Sequence, residues 1–261
     1  MPLPAERLNE YLDFAHRLAD AAAAKSLPLF RTHAEVQDKG GRRFDPVTAA
    51  DQAAETAMRE LIAATYPDHG IHGEEHDRIE GSSPLTWVLD PIDGTRAFIT
   101  GLPLWGTLIA LNDGDRPVLG VMDQPFTGER FVGTCDAAWL GKTPLRTRPC
   151  ASLSEAKLMC TTPEMFGDEP EWKAFRCVAD RARLLRYGGD CYAYCMVAAG
   201  HVDAVVEAGL QPYDVQALIP IVEGAGGIVT SWTGDDPQHG GRVVACGDRR
   251  LHAQILAALA E

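Results

Sequence analysis

Apolar residues at Leu8, Leu12, Ala15, Leu18, Ala19 and Ala22 recur at helical spacing, which predicts an amphipathic helix ending before Pro28. A second helix is predicted from Thr48 to Tyr66, with Ala54, Ala57, Met58, Leu61 and Ile62 on one face, Thr48 as N-cap and Pro67 just beyond the end. The chain should thus open on two packed helices. From Trp87 to Leu140 the pattern shifts to short β-rich runs, Trp87–Leu89, Trp105–Leu111, Val118–Met122 and Arg130–Thr134, with turn signals at Asn112-Asp113-Gly114 and Thr127-Gly128. These runs read as an antiparallel meander. Thr143 to Pro149 holds two prolines and no periodicity, so a boundary is placed there, dividing an N-terminal α+β domain (1–146) from a C-terminal α/β domain (147–261).

In the second stretch strands and helices alternate. Strands are expected at Leu158–Cys160, Leu184–Tyr187, Asp203–Val206, Ile228–Ser231 and Val243–Cys246. Helices are expected near Glu171–Arg181, at Asp190–Ala199 and at Asp214–Glu223, which together make an α/β layered unit.

Composition narrows the class. A chain of 261 residues with 46% apolar and 23% charged residues is that of an ordinary soluble globular enzyme. The net charge of −13 repels a polyanion over most of the surface, which argues against nucleic acid or an anionic membrane as partner. No apolar run approaches the roughly 18 residues that span a bilayer. Seven cysteines without a C-x-x-C pair suggest scattered core thiols and a cytoplasmic protein, not a disulfide framework or zinc site.

The strongest local signal is Trp87-Val88-Leu89-Asp90-Pro91-Ile92-Asp93-Gly94-Thr95, an apolar strand ending in two carboxylates around a proline. Acids held this close repel unless a cation lies between them, and hard oxygen donors suit Mg²⁺. Backbone N–H groups near Gly94 and Thr95, opening a short helix through Arg96, Ala97 and Phe98, offer an anion site beside the metal. The bland alternative is a strand end followed by a surface turn. Upstream Gly73-Glu74-Glu75 and downstream Pro212-Tyr213-Asp214 count against it as a set, although a lone Asp at a helix start, as Asp214 is, is more often a cap than a ligand.

Ile71-His72-Gly73-Glu74-Glu75, Asp90-Pro91-Ile92-Asp93-Gly94-Thr95 and Tyr213-Asp214-Val215-Gln216-Ala217, in this order and spacing, resemble the inositol monophosphatase family of magnesium phosphatases. The resemblance covers nearly the whole chain. It implies a layered αβαβα sandwich shared with fructose bisphosphatase, a homodimer, and two or three Mg²⁺ ions per active site. It further implies that Glu74, Asp90, Asp93, Asp214 and the Ile92 carbonyl ligate metal, and that Asp51 and Thr95 act with Glu74 in catalysis by orienting the attacking water. From the residues alone, Asp51, three after Thr48, is equally a partner in a helix cap.

Within that family Asp93–Gly106, Arg186–Tyr194 and Leu210–Asp214 look like the bacterial histidinol-phosphate phosphatase branch. Arg96 and Tyr213 depart from the inositol-specific relatives, which usually carry Thr-Asn after Asp-Gly-Thr and Trp before the late aspartate. The implied reaction is Mg²⁺-dependent hydrolysis of L-histidinol phosphate, a step of histidine biosynthesis, with Gly94, Thr95, Arg96, Arg186, Gly189, Asp190, Glu207 and Asp214 around the substrate. An acidic wall at Asp190 would complement the amine and imidazole of histidinol. Glu207 is otherwise a solvated strand-end acid, Arg186 a structural ion pair, and the roles of Lys39, Arg96 and Arg186 are left open.

Three other readings stay in view: an inositol phosphate or adenosine bisphosphate as substrate, a non-catalytic binding protein on the same scaffold, and a zinc hydrolase built on His72 and His76. Gly70 and Gly73 disfavour the continuous helix that the zinc reading needs. Gly224-Ala225-Gly226-Gly227 resembles a phosphate cradle, but its place between a helix and a strand makes it a helix-ending turn.

Overall fold

The computed structural model describes residues 4–32, 36–38 and 46–261, so Lys39 lies outside the described residues. Helix α1 (Ala5–Ser26) buries Tyr11, Phe14, Ala15, Leu18, Ala19 and Ala22, the stripe its periodicity predicts. Pro28 then falls in a 3₁₀ turn at Leu27–Leu29. Strand β1 (Val36–Asp38) pairs antiparallel with β2 (Pro46–Thr48), a ribbon without an apolar run to announce it. Thr48 caps α2 (Ala49–Thr65), its hydroxyl accepting the Ala50 N–H at 3.1 Å. Met58 and Ile62 of α2 pack with Phe14 and Leu18 of α1.

Seven strands follow: β3 (Gly70–Gly73), β4 (Thr86–Asp93), β5 (Gly106–Asn112), β6 (Pro117–Gln124), β7 (Glu129–Gly133), β8 (Ala138–Leu140) and β9 (Thr143–Pro144). From β4 to β9 they form the expected antiparallel meander, and β3 adds to β4 in parallel. Alternate residues serve opposite faces. Trp87, Leu89, Ile109, Leu111, Leu119 and Val121 pack on α1 and α2, whereas Val88, Leu108, Ala110, Met122 and Phe131 face the other way, into the second half of the chain. Burial on both faces explains why β4 and β5 read as continuous apolar runs. Between these strands lies the short helix α3 (Thr95–Ile99).

The second half comprises β10 (Lys157–Cys160), α4 (Glu169–Ala179), β11 (Leu184–Tyr187), α5 (Asp190–Ala198), β12 (Ala204–Leu210), α6 (Pro212–Val215), α7 (Leu218–Gly224), β13 (Ile228–Ser231), β14 (Gly241–Cys246) and α8 (Arg249–Leu259). Its sheet has the order β11-β10-β12-β14-β13, parallel where β10 meets β11 and β12, antiparallel around β14. Helices α5 and α7 lie between the two sheets, while α4 and α8 cover the outer face of the second. The result is the layered αβαβα sandwich.

Two local expectations need correction. The helix predicted over Asp214–Glu223 is two helices, α6 and α7. Pro220 has no N–H to give the Gln216 carbonyl, so the ladder is interrupted there. Strand β4 does not stop at Leu89 but runs through Pro91 to Asp93. Residues 145–156 carry the chain from one sheet to the other, and a single apolar cluster joins Val88, Leu108 and Phe131 to Tyr194, Val205 and Ile221.

Candidate active site

In a regular strand, residues three apart face opposite ways. Opposite β5, however, Asp90 pairs with Leu108 and Asp93 with Gly106, so three steps on β4 match two on its neighbour. The extra residue is a bulge, and it turns both carboxylates toward the same side. Local bonds fix the bulge. The Thr107 hydroxyl donates to the Pro91 carbonyl at 2.8 Å, the Ile92 N–H to Asp90 Oδ1 at 3.0 Å, and the Thr95 hydroxyl to the Ile92 carbonyl at 3.1 Å. Asp214 arrives from α6, its Oδ2 accepting the Gln211 N–H at 2.7 Å.

One ligand oxygen from each of Asp90, Asp93 and Asp214 lies within 4.8 Å of the others. Asp90 is 2% exposed. Burial, followed by the charges of Glu74, Asp93 and Asp214, pushes its pKa well up, and it shares a hydrogen bond with Glu74. Burial and then Asp214 push Asp93 up to about 7, although the Cys191 N–H, 2.7 Å from its Oδ2, acts the other way. Carboxylates crowded in this way either take up protons or gather around a cation. Their hard oxygen donors suit a divalent metal such as Mg²⁺.

Glu74 reaches this cluster from the end of β3, on a loop that a buried acid of α2 holds down. Glu55, fully buried, accepts the Glu75 N–H on Oε2 at 2.7 Å and Arg59 Nη1 on Oε1 at 2.8 Å. A Cβ on Gly73 would lie 2.1 Å from Glu55 Oε1, so glycine here lets the Glu55 carboxylate keep its place against the loop. The same loop disposes of the zinc reading. His72 lies in β3 with its ring edge-on to Tyr213, while exposed His76 meets Thr56 Oγ1 at 3.1 Å, so no helical turn pairs them. Gly224 ends α7 in a turn before β13, as expected.

Asp51 occupies the cap that its spacing from Thr48 allows. Its Oδ2 accepts the Thr48 N–H at 2.9 Å and the Thr48 hydroxyl at 2.7 Å. Neighbouring Ala50 packs with Ile92, Ala97 and Phe98, so this first turn of α2 adjoins α3 and the acid-bearing bulge.

A cavity of about 350 Å³ opens beside the acids, lined by Gly94, Thr95, Arg96, Thr161, Thr162, Met165, Asp190, Ala208, Gly209, Leu210 and Asp214. Asp190 starts α5 with φ of 44° and gives its N–H to Thr161 Oγ1 at 3.1 Å. Burial, then Asp93 and Glu207, push its pKa well up, against the opposing pull of Arg96. Gly94, at φ 81°, passes close under it, since a Cβ there would meet Asp190 Cβ at 3.1 Å.

Of the residues expected around a substrate, Gly94, Thr95, Arg96, Asp190 and Asp214 therefore line the cavity. Gly189 and Glu207 lie behind it. A Cβ on Gly189 would strike Met159 Cε at 2.7 Å, and Glu207, 2% exposed, has both oxygens engaged, Oε1 by the Thr161 N–H at 2.7 Å and Oε2 by the Tyr194 hydroxyl at 2.8 Å. Arg186 is exposed on the edge strand β11 and forms no part of the cavity lining. Glu55, Thr161 and Tyr194 escaped the sequence reading, and only the glycine of Gly73-Glu74 hinted at any of them, by demanding close approach of another group.

Comparison with known proteins agrees with this geometry. A profile of the inositol monophosphatase family matches residues 7–261. The bifunctional phosphatase IMPL2, chloroplastic, of Arabidopsis thaliana is 43% identical over 97% of this chain and 75% of its own length. The histidinol-phosphatase of Chlorobaculum parvum is 34% identical over 95% of this chain and 96% of its own. Among solved structures, an inositol monophosphatase from Zymomonas mobilis superposes with a TM-score of 0.88 at 41% identity, covering 97% of this chain and 98% of that one.

Proposed function

Since the chain belongs to the inositol monophosphatase family and is a phosphomonoesterase of a small phosphorylated metabolite, we propose that its substrate is an inositol monophosphate or a similar small phosphate ester. The observation that carries this reading is the convergence of Asp90, Asp93 and Asp214 beside a cavity of about 350 Å³ whose wall includes Asp214. Such a volume lies at the small end of ligand sites. The comparisons support this broader reading better than histidinol phosphate alone, because the 41% identical structure is an inositol monophosphatase and the 43% identical relative is described as bifunctional. Histidinol phosphate remains the second reading. A half-buried acid at Asp190, on the wall of the cavity, favours an amine at the alcohol end of the ester, and a histidinol-phosphatase stands among the relatives.

In this proposal Glu74, Asp90, Asp93, Asp214 and the Ile92 carbonyl hold Mg²⁺. Bound there, Mg²⁺ supplies a water of lowered pKa and neutralises charge on the phosphoryl oxygens. Gly94 and Thr95 seat the phosphoryl group. The Thr95 hydroxyl orients the attacking water, and the carboxylate of Asp51, fixed by the two Thr48 bonds, takes its proton. Arg96 and Asp190 face the alcohol that leaves. A homodimer is proposed from the family resemblance and a cytoplasmic location from the scattered cysteines, and light scattering after gel filtration tests the dimer. Among the described residues no helix is long and apolar enough to cross a membrane.

Phosphate release from myo-inositol 1-phosphate and from L-histidinol phosphate, each with Mg²⁺ and with EDTA, tests the substrate. Magnesium-dependent turnover of the inositol ester carries the main reading, a strong preference for histidinol phosphate transfers it to the second, and release undiminished by EDTA removes the role given to the acid cluster.

A further inference from the structure

The cavity wall formed by Thr161 and Asp190 is not self-supporting. Asp190 has φ of 44°, the left-handed region that an Asp enters more readily than most residues with a Cβ but still at a cost its surroundings must cover. Its N–H is held by Thr161 Oγ1 at 3.1 Å, and Thr161 is itself held through its own N–H by Glu207 Oε1 at 2.7 Å. The chain of bonds ends on Tyr194, whose hydroxyl donates to Glu207 Oε2 at 2.8 Å. Tyr194 and Glu207 are 1% and 2% exposed, so this pair acts from behind the wall.

We propose that Tyr194 is a positioning residue for recognition of the alcohol end of the ester, acting through Glu207 on Thr161 and through Thr161 on Asp190. The inference rests on the phosphatase reading and adds to it the element that shapes specificity. Deleting the tyrosine hydroxyl leaves Glu207 Oε2 buried without its donor, a loss that a buried carboxylate relieves by rotating toward another donor. Rotation withdraws Oε1 from the Thr161 N–H and loosens the wall. The phosphate end, seated at Gly94 and Thr95 beside the acids, receives none of these bonds, and its tie to α5 is a separate one, the Cys191 N–H to Asp93 Oδ2 at 2.7 Å.

The test uses the full chain with Mg²⁺ and two esters, the preferred metabolite phosphate and p-nitrophenyl phosphate, whose leaving group carries neither amine nor hydroxyl. Tyr194→Phe is expected to raise KM for the metabolite roughly tenfold and to leave kcat for p-nitrophenyl phosphate within about twofold. Thr161→Val should shift the metabolite KM in the same direction, Thr161→Ser should restore it, and the double variant Tyr194→Phe/Thr161→Val should be no worse than the poorer single, because both act on one wall. Equal losses on both esters, multiplicative effects in the double variant, or a lowered Tm with unchanged KM overturn the proposal. Failure of the phosphatase reading looks different, since the unsubstituted protein then releases phosphate from neither ester. In that case the crystal structure of Tyr194→Phe decides, and Thr161 and Asp190 found in place overturn the inference.

Discussion

Asp90 is 2% exposed among Glu74, Asp93 and Asp214, so neutralising it should act oppositely on stability and on catalysis. Asn keeps the oxygen that accepts the Ile92 N–H and removes a charge that burial and three neighbours disfavour. Asp90→Asn is therefore expected to raise the Tm of EDTA-treated protein by about 2–4 °C while abolishing Mg²⁺-dependent phosphate release. A lowered Tm would mean that the acids do not strain the metal-free fold. His69 permits a separate test. Its ring stacks on Tyr66 at 4.7 Å and its Nδ1 accepts the Trp87 indole N–H at 3.2 Å, a bond that protonation destroys. Burial lowers its pKa below the ordinary 6.5. The unfolded chain then binds more protons than the folded one near pH 6, so this contribution to stability is present above the ordinary histidine range and is lost as pH falls through it. His69→Gln should flatten the fall in Tm between pH 7.5 and 5.5 measured at matched Mg²⁺, where the carboxylates act alike in both proteins. Equal slopes would remove His69 from the acid response. Legibility differs sharply among these residues. Asp90, Asp93 and Asp214 announce themselves by type and spacing, whereas Glu55 and Tyr194 look in sequence like any helical acid and any core aromatic, and only the fold shows what each one holds.

Among the elements, the junction of α2 with the loop after β3 controls where Glu74 stands. Glu55 spans it, accepting the Glu75 N–H on one oxygen and Arg59 on the other. Groups that orient metal ligands typically contribute one to two powers of ten in affinity. Glu55→Gln, which exchanges one acceptor for a donor facing a donor, should raise the Mg²⁺ concentration for half-maximal activity by about 10–100-fold while kcat at saturating Mg²⁺ is largely kept. Gly73→Ala should be worse, since its Cβ would lie 2.1 Å from Glu55 Oε1 and displace the carboxylate from both of its partners. Titration calorimetry with Mg²⁺ measures both, and unchanged affinity in Glu55→Gln would make the contact purely structural. Periodicity reveals elements like α1 and α2, where one face is buried and the other wet. It fails for β3, whose four residues include two glycines and a histidine, and for the course of β4 through Pro91, where the missing N–H falls at the bulge and costs no ladder bond. Helix α8, absent from the sequence expectations, buries Leu251, Ile255 and Ala258 on one face at the spacing that marks α1 and α2.

At the scale of the molecule the acids come from both halves of the chain, Asp90 and Asp93 from β4 and Asp214 from α6, and the layer between the sheets is common property. Helix α5 shows why the stacking of the two sheets, unlike the α/β alternation of the second half, was legible only through family resemblance. Cys191, Ala193, Tyr194, Cys195, Val197 and Ala198 are buried around its circumference, because a sheet covers it on each side, and a helix apolar all round carries no signal of which neighbour it faces. A cation shared by Asp90, Asp93 and Asp214 accordingly binds the folded chain and not the unfolded one, in which those residues are far apart. Ligand linkage then requires Mg²⁺ to stabilise the fold, by about 2.7 kcal/mol at a hundred times Kd, which is a rise of several degrees in Tm for a chain of this size. EDTA should remove the rise. Asp214→Asn should remove it too, even though that substitution leaves both β4 acids in place, because the site needs the carboxylate that α6 supplies from the other half. Calorimetry of the two proteins across a Mg²⁺ series measures this directly, and a shift of equal size in Asp214→Asn would show that the cation is held by the first half alone.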